Sequence, residues 1–142
     1  MNYNYLEDIA TADVAFEAHG ATIEEMFIAA ADATMNTMVN DLSAINKIID
    51  IRLDLLNPEL DLLLFNFLNE FIFYKDSQRL LLRVKYLTIS HNSSFKLAAV
   101  LSGEKLNSEN HQLTVDVKAV TLHKFSVVQE ADGWKATVIL DI

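Results

Sequence analysis

No cysteine occurs anywhere in the chain, which excludes a disulfide framework, a thiolate nucleophile and a zinc–thiolate centre. Proline occurs once, at Pro58, and glycine only at Gly20, Gly103 and Gly133. So little glycine leaves no phosphate-cradling loop, and there is no nucleophile elbow either. Basic residues are scarce, with 11 Lys and Arg against 20 Asp and Glu, for a net charge of −9. Binding DNA or RNA broadly needs a basic patch that displaces counterions, so strong direct nucleic-acid binding is not expected. An acidic protein can still serve RNA chemistry by touching a protein that holds the RNA. Long apolar runs are missing as well. The most apolar stretch, 60–74, is interrupted by Asp61, Asn66, Asn69 and Glu70 and is too short and polar to span a bilayer. Met1-Asn2-Tyr3-Asn4-Tyr5 shows no basic segment followed by an apolar one, so no signal peptide is expected. A cytoplasmic protein with no membrane partner is the resulting expectation.

What is present is apolar residue in quantity. Of 142 residues, 51% are hydrophobic, enough for one domain over 1–142 that buries roughly two-thirds of its unfolded surface. Val14, Phe16 and Ala18 alternate with Asp13, Ala15 and Glu17, the period of a strand. Thr22 and Glu25 fit a capping box, and Ile23, Phe27, Ala30, Ala31, Thr34 and Met38 carry a helix to about Asn40. Ile49, Ile51, Leu53 and Leu55 alternate with Asp50, Arg52 and Asp54, a half-buried strand. Asn57-Pro58 reads as a capped helix start. Beyond it Leu60, Leu63, Leu64, Phe67, Leu68, Phe71 and Ile72 form a wide apolar stripe.

The remainder reads as strands: 80–89 and 95–101 around a His91–Ser94 turn, then a polar loop over 102–112. A long run over 113–128 needs a bulge or bend near its middle, and 134–142 follows the Asp132-Gly133 turn. The order is β-α-β-α followed by about four strands. That is a single α+β domain with two helices packed on a largely antiparallel or mixed sheet.

Three residues combine into possible chemistry. Asp13 opens the first expected strand, and Asp141 with Ile142 closes the last. If those ends meet, the two side chains and the Ile142 carboxylate gather oxygen ligands of the kind hard cations take. The competing reading is a capped turn at one end and a solvated carboxylate at the other. Lys118 falls in phase with Asp116 and Val120, opposite Val117, Ala119 and His123. It is either a site lysine, or an exposed sheet lysine or one held in a salt bridge. His123 reads as a hydrogen-bonded structural residue, while His19, His91 and His111 sit in or beside turns with no metal-site spacing. Nothing places two carboxylates around a scissile bond, so no catalytic residue is assigned, and a metal-dependent hydrolase is a third reading that lacks an evident base or nucleophile.

The same residues resemble the archease family along nearly the whole chain. The resemblance rests on Thr11-Ala12-Asp13, Gly20-x-Thr22-x-Glu24-Glu25-x-Phe27, Ala29-Ala30, Met38-x-x-Asp41, Leu68-Asn69-Glu70, and Gly103-Glu104 with His111. Its most specific blocks are Val117-Lys118-Ala119-Val120-Thr121-x-His123, Gly133-Trp134-x-Ala136 and Asp141-Ile142. The resemblance implies a non-enzymatic activator of an RtcB-type RNA ligase in tRNA splicing or RNA repair, promoting ligase guanylylation and turnover. It also implies a divalent metal, calcium, held by Asp13, Asp141 and Ile142, and a role in partner activation for Lys118. Ala10 stands where the family carries histidine, Leu122 replaces an aromatic, and Phe65-Asn66 replaces an acidic–aromatic pair. Ala10 favours the alternative reading, a chaperone-like protein-interaction module that has lost the metal site.

Overall fold

Alternating and helical periods become seven strands and two long helices in the computed structural model, which describes residues 1–7 and 13–142. Ala10, Thr11 and Ala12, with the expectations attached to them, lie outside the described residues. β1 (Asn2–Leu6) and β2 (Asp13–Gly20) precede α1 (Ile23–Met38). β3 (Ile49–Asn57), α2 (Leu60–Gln78), β4 (Leu80–His91) and β5 (Phe95–Lys105) follow. β6 (Ala119–Glu130) and β7 (Gly133–Asp141) complete the order. The fold is α+β as expected, but the strands divide between two antiparallel sheets, β1-β2-β7-β6 and β3-β5-β4. No helix among the described residues is long and apolar enough to cross a membrane.

α1 starts where the capping box predicts. Thr22 Oγ1 accepts from the Glu25 amide at 3.1 Å, and Glu25 Oε1 accepts from Ala21 N at 3.0 Å, one residue earlier than the usual reciprocal bond. Its four alanines, Ala29, Ala30, Ala31 and Ala33, are all buried along with Met26, Phe27 and Met35. A helix buried on most sides belongs inside a core, and α1 touches β1, β2 and β7 of one sheet and β4 of the other. α2 likewise touches β6 of one sheet and β3, β4 and β5 of the other. Phe27 and Phe67 join the helices with ring centroids 5.7 Å apart. A single buried cluster therefore runs through both sheets.

Several boundaries differ from expectation, each for a local reason. β1 was not foreseen; Tyr3 and Tyr5 reach from it to α1, where their hydroxyls donate to Asn36 Oδ1 (3.1 Å) and the Ala33 carbonyl (2.8 Å). α1 stops at Met38 because the next residues pair elsewhere. Val39 bridges Leu113, and Asn40 N donates to the Gln112 carbonyl at 2.8 Å. Asn57 does not cap α2 directly: its Oδ1 takes the Glu59 amide at 2.9 Å, and Glu59 occupies the cap position without a side-chain bond. The expected 102–112 loop begins later, since Ser102, Gly103 and Glu104 are buried within β5. The expected 113–128 strand is shorter too. Residues 114–118 have no ladder, and the strand starts at Ala119. The foreseen irregularity falls between Thr121 and Ser126, where Lys124 takes φ 53°.

Candidate functional site

β2 and β7 run antiparallel in a register that sets Asp13 opposite Asp141, while β6 sets Ala119 opposite the same Asp141. Directly opposed residues share a sheet face. Phe16, Ala18, Ala136, Val138 and Leu140 lie on the core face, so the two aspartates, out of phase with them, lie on the other. Both are half-buried, as is Ile142, which also packs against the core. The chain's early and late carboxylates thus stand side by side at one end of the four-stranded sheet. Among the described residues no group of three or more His, Asp or Glu side chains gathers at one point. Any third oxygen ligand beside this pair therefore comes from the main chain or from outside the described side chains.

Lys118 lies immediately before β6, outside the ladder. Its amide donates to the Asp141 carbonyl at 2.8 Å, and its side chain is exposed. Strict alternation does not hold around it, because Val117 and Val120, three residues apart, are both buried. The cause is an unladdered approach: Lys75 from α2 donates to the Asp116 carboxylate and, at 3.1 Å, to the Val117 carbonyl. His123 is not the hydrogen-bonded structural residue expected. It sits exposed in the irregular stretch of β6, beside Lys124.

Two polar sites were not foreseen from composition or period. His111, expected at a turn, is 2% exposed. Its Nδ1 accepts from the Asn107 amide at 2.9 Å, which leaves the proton on Nε2 to donate to Glu104 Oε2 at 2.9 Å. Glu104 also accepts from the Asn46 amide at 2.6 Å. That bond first, and His111 second, hold its carboxyl below the usual glutamate range. The grouping of Gly103-Glu104 with His111 among the family blocks was the available signal. The other site is Lys75 itself, one helical turn beyond Phe71 and at the position where the α2 stripe calls for another apolar residue.

Comparison with known proteins gives a consistent picture. The model of the archease protein family (MTH1598/TM1083) matches residues 3–142. A protein archease from Methanosarcina acetivorans is 33% identical over 99% of this chain and 95% of its own length. One from Pyrococcus abyssi is 33% identical over 93% of this chain and 94% of its own. The solution structure of Methanobacterium thermoautotrophicum protein 1598 superposes with a TM-score of 0.84 at 30% identity, covering 99% of this chain and 98% of that one. A Thermotoga maritima crystal structure, described as an archease and possible chaperone, shares the fold with a TM-score of 0.60 at 19% identity, covering 96% and 97%.

Proposed function

The chain belongs to the archease family, and from that premise we propose that it is a non-enzymatic activator of an RtcB-type RNA ligase. In this reading it promotes guanylylation and turnover of the ligase in tRNA splicing or RNA repair. The observation that carries the reading is the meeting of Asp13 and Asp141 in one register position with the Lys118 amide bonded to the Asp141 carbonyl. These are the residues onto which the family's metal and activation roles fall.

The donor set fits a divalent cation. Two carboxylates directly opposed on neighbouring strands repel each other, and a hard cation between oxygen ligands relieves that repulsion. Asp13, Asp141 and the main-chain oxygens of Ile142 would hold the ion, with calcium the family's expectation. A bound ion would supply a fixed positive charge at this end of the sheet for phosphate or carboxylate oxygens of the partner. The protein's own residues do the rest. The β2–β7 ladder fixes the spacing of the aspartates, and Lys118, joined to Asp141 through its main-chain amide, offers an exposed side chain. With a net charge of −9, the chain approaches the RNA through the ligase and not by gripping RNA itself.

The test is multiple-turnover RNA ligation by the cognate ligase with and without this protein. Ligase guanylylation and turnover should rise on addition, and Lys118→Ala should lose most of the increase. Unchanged guanylylation and turnover with the wild-type protein sinks the proposal and leaves the chaperone-like module as the reading to pursue.

A further inference from the structure

We infer that Lys75 on α2 is a positioning residue for this end of the sheet, acting through the single peptide group that joins Val117 to Lys118. The inference deepens the proposed function and rests on it for its link to ligase activation. Lys75 is 8% exposed, among the apolar residues that continue the Leu64, Phe67, Leu68, Phe71 and Ile72 stripe. A buried ammonium carries a desolvation cost that only close partners offset, so its contacts reveal what holds it there. It has three donors and three partners: hydrogen bonds to the Asp116 carboxylate and, at 3.1 Å, to the Val117 carbonyl, and an ion pair with Asp76 Oδ1 at 2.9 Å. Two of those three lie in the residues just before Lys118.

The Val117 carbonyl and the Lys118 amide are the two ends of one planar peptide unit. Lys75 holds the oxygen end, and the Asp141 carbonyl holds the N–H end at 2.8 Å. The plane is therefore clamped from both sides, and hydrogen bonds in such a chain polarise and strengthen one another. Because the plane is fixed, so is the position of the Lys118 Cα, the point from which its side chain leaves the backbone. The same bond orients the main chain of Asp141, next to its carboxylate. No strand ladder does this work over 114–118. Anchoring alone would need no lysine, since Val117 is already fully buried. Asp116, whose side chain is 70% exposed, would also be comfortable in water without it.

The experiment uses Lys75→Met, which keeps the apolar stripe, together with Lys75→Arg and Asp116→Asn. Hydrogen exchange at the Lys118 amide reads the clamp directly, beside thermal unfolding, calcium titration and ligation at saturating activator. Lys75→Met should stay folded and saturate the ligase at a similar concentration. Its maximal activation and calcium affinity should fall about tenfold, the scale on which residues supporting metal ligands act. Lys118 amide exchange should accelerate selectively, Lys75→Arg should recover most of the loss, and Asp116→Asn should show a smaller shift in the same direction. Unaltered Lys118 exchange in Lys75→Met, or full activation with wild-type calcium affinity, overturns the inference. If Lys75→Met does not fold, Lys75→Gln, which is polar but shorter and uncharged, decides: wild-type Lys118 exchange and calcium affinity refute the clamp. If the wild-type protein itself fails to activate the ligase, the functional reading falls, and the clamp stands or falls on Lys118 exchange and calcium affinity alone.

Discussion

Glu104 shows how one buried carboxylate ties irregular chain to a sheet. It receives the Asn46 amide from the segment before β3 and the Nε2 proton of His111 from the loop after β5. Both bonds favour the ionised form, so the folded protein holds its carboxyl below the ordinary value of 4.5. The sign follows: the unfolded chain binds the proton more readily. The stabilisation is therefore fully present above the unfolded value and is lost as pH falls through the lower folded value. Glu104→Gln should destabilise by about 1–3 kcal/mol at neutral pH, the scale for charge-assisted bonds in a buried setting. The deficit should shrink below pH 4.5 and vanish once the wild-type carboxyl is protonated. Denaturant melts of both proteins across an acid pH series check this, and a deficit constant with pH would falsify it.

At the scale of elements, Gly103 limits how β5 accepts its neighbours. It pairs with Ile49 of β3 and Leu82 of β4, and a Cβ built there would drive into the Leu81 backbone carbonyl. A backbone oxygen in a paired strand has no rotamer to escape by, so Gly103→Ala should cost about 2 kcal/mol or more. Thermal unfolding measures it, and a midpoint matching wild type would show that β4 yields more easily than its pairing implies. Elements with a clean period were legible in the residues: β2, α1, β3, α2 and the β4–β5 hairpin all stand where alternation or helical spacing put them. The misses share one cause. β1 is short and carries asparagines. Ser102, Gly103 and Glu104 look like a loop by composition yet are buried in β5. The 114–118 run is rich in β-branched residues but lacks a partner strand. In each case a contact distant in sequence decides the local structure, and local propensity says nothing of it.

Across the whole molecule, the candidate site joins residues from opposite ends of the sequence through one sheet. Asp13 and Asp141 could be paired on paper only by assuming that two strand ends meet, and the β2–β7 register is what brings them together. Lys118 is legible as a residue, but its support is not, because Lys75 reads with Asp76 and Ser77 as the polar end of α2. If the proposed metal site is in use, the opposed aspartates should also make the whole fold responsive to cations. Without a cation their like charges weaken the β2–β7 pairing, by an amount that salt screens only in part for half-buried groups. A cation that binds only the folded protein stabilises it by RT ln(1 + [L]/Kd), about 2.7 kcal/mol at a hundredfold excess over Kd. Calcium should therefore raise the unfolding midpoint of the wild type under conditions where the same ionic strength of sodium does not. Asp13→Asn removes one of the opposed charges while keeping the side chain's size. Its midpoint without calcium should equal or exceed that of the wild type, and its response to calcium should disappear. Equal calcium responses in the two proteins would remove Asp13 from the site. A wild type indifferent to calcium, but stabilised by magnesium or manganese, would keep the site and change the ion.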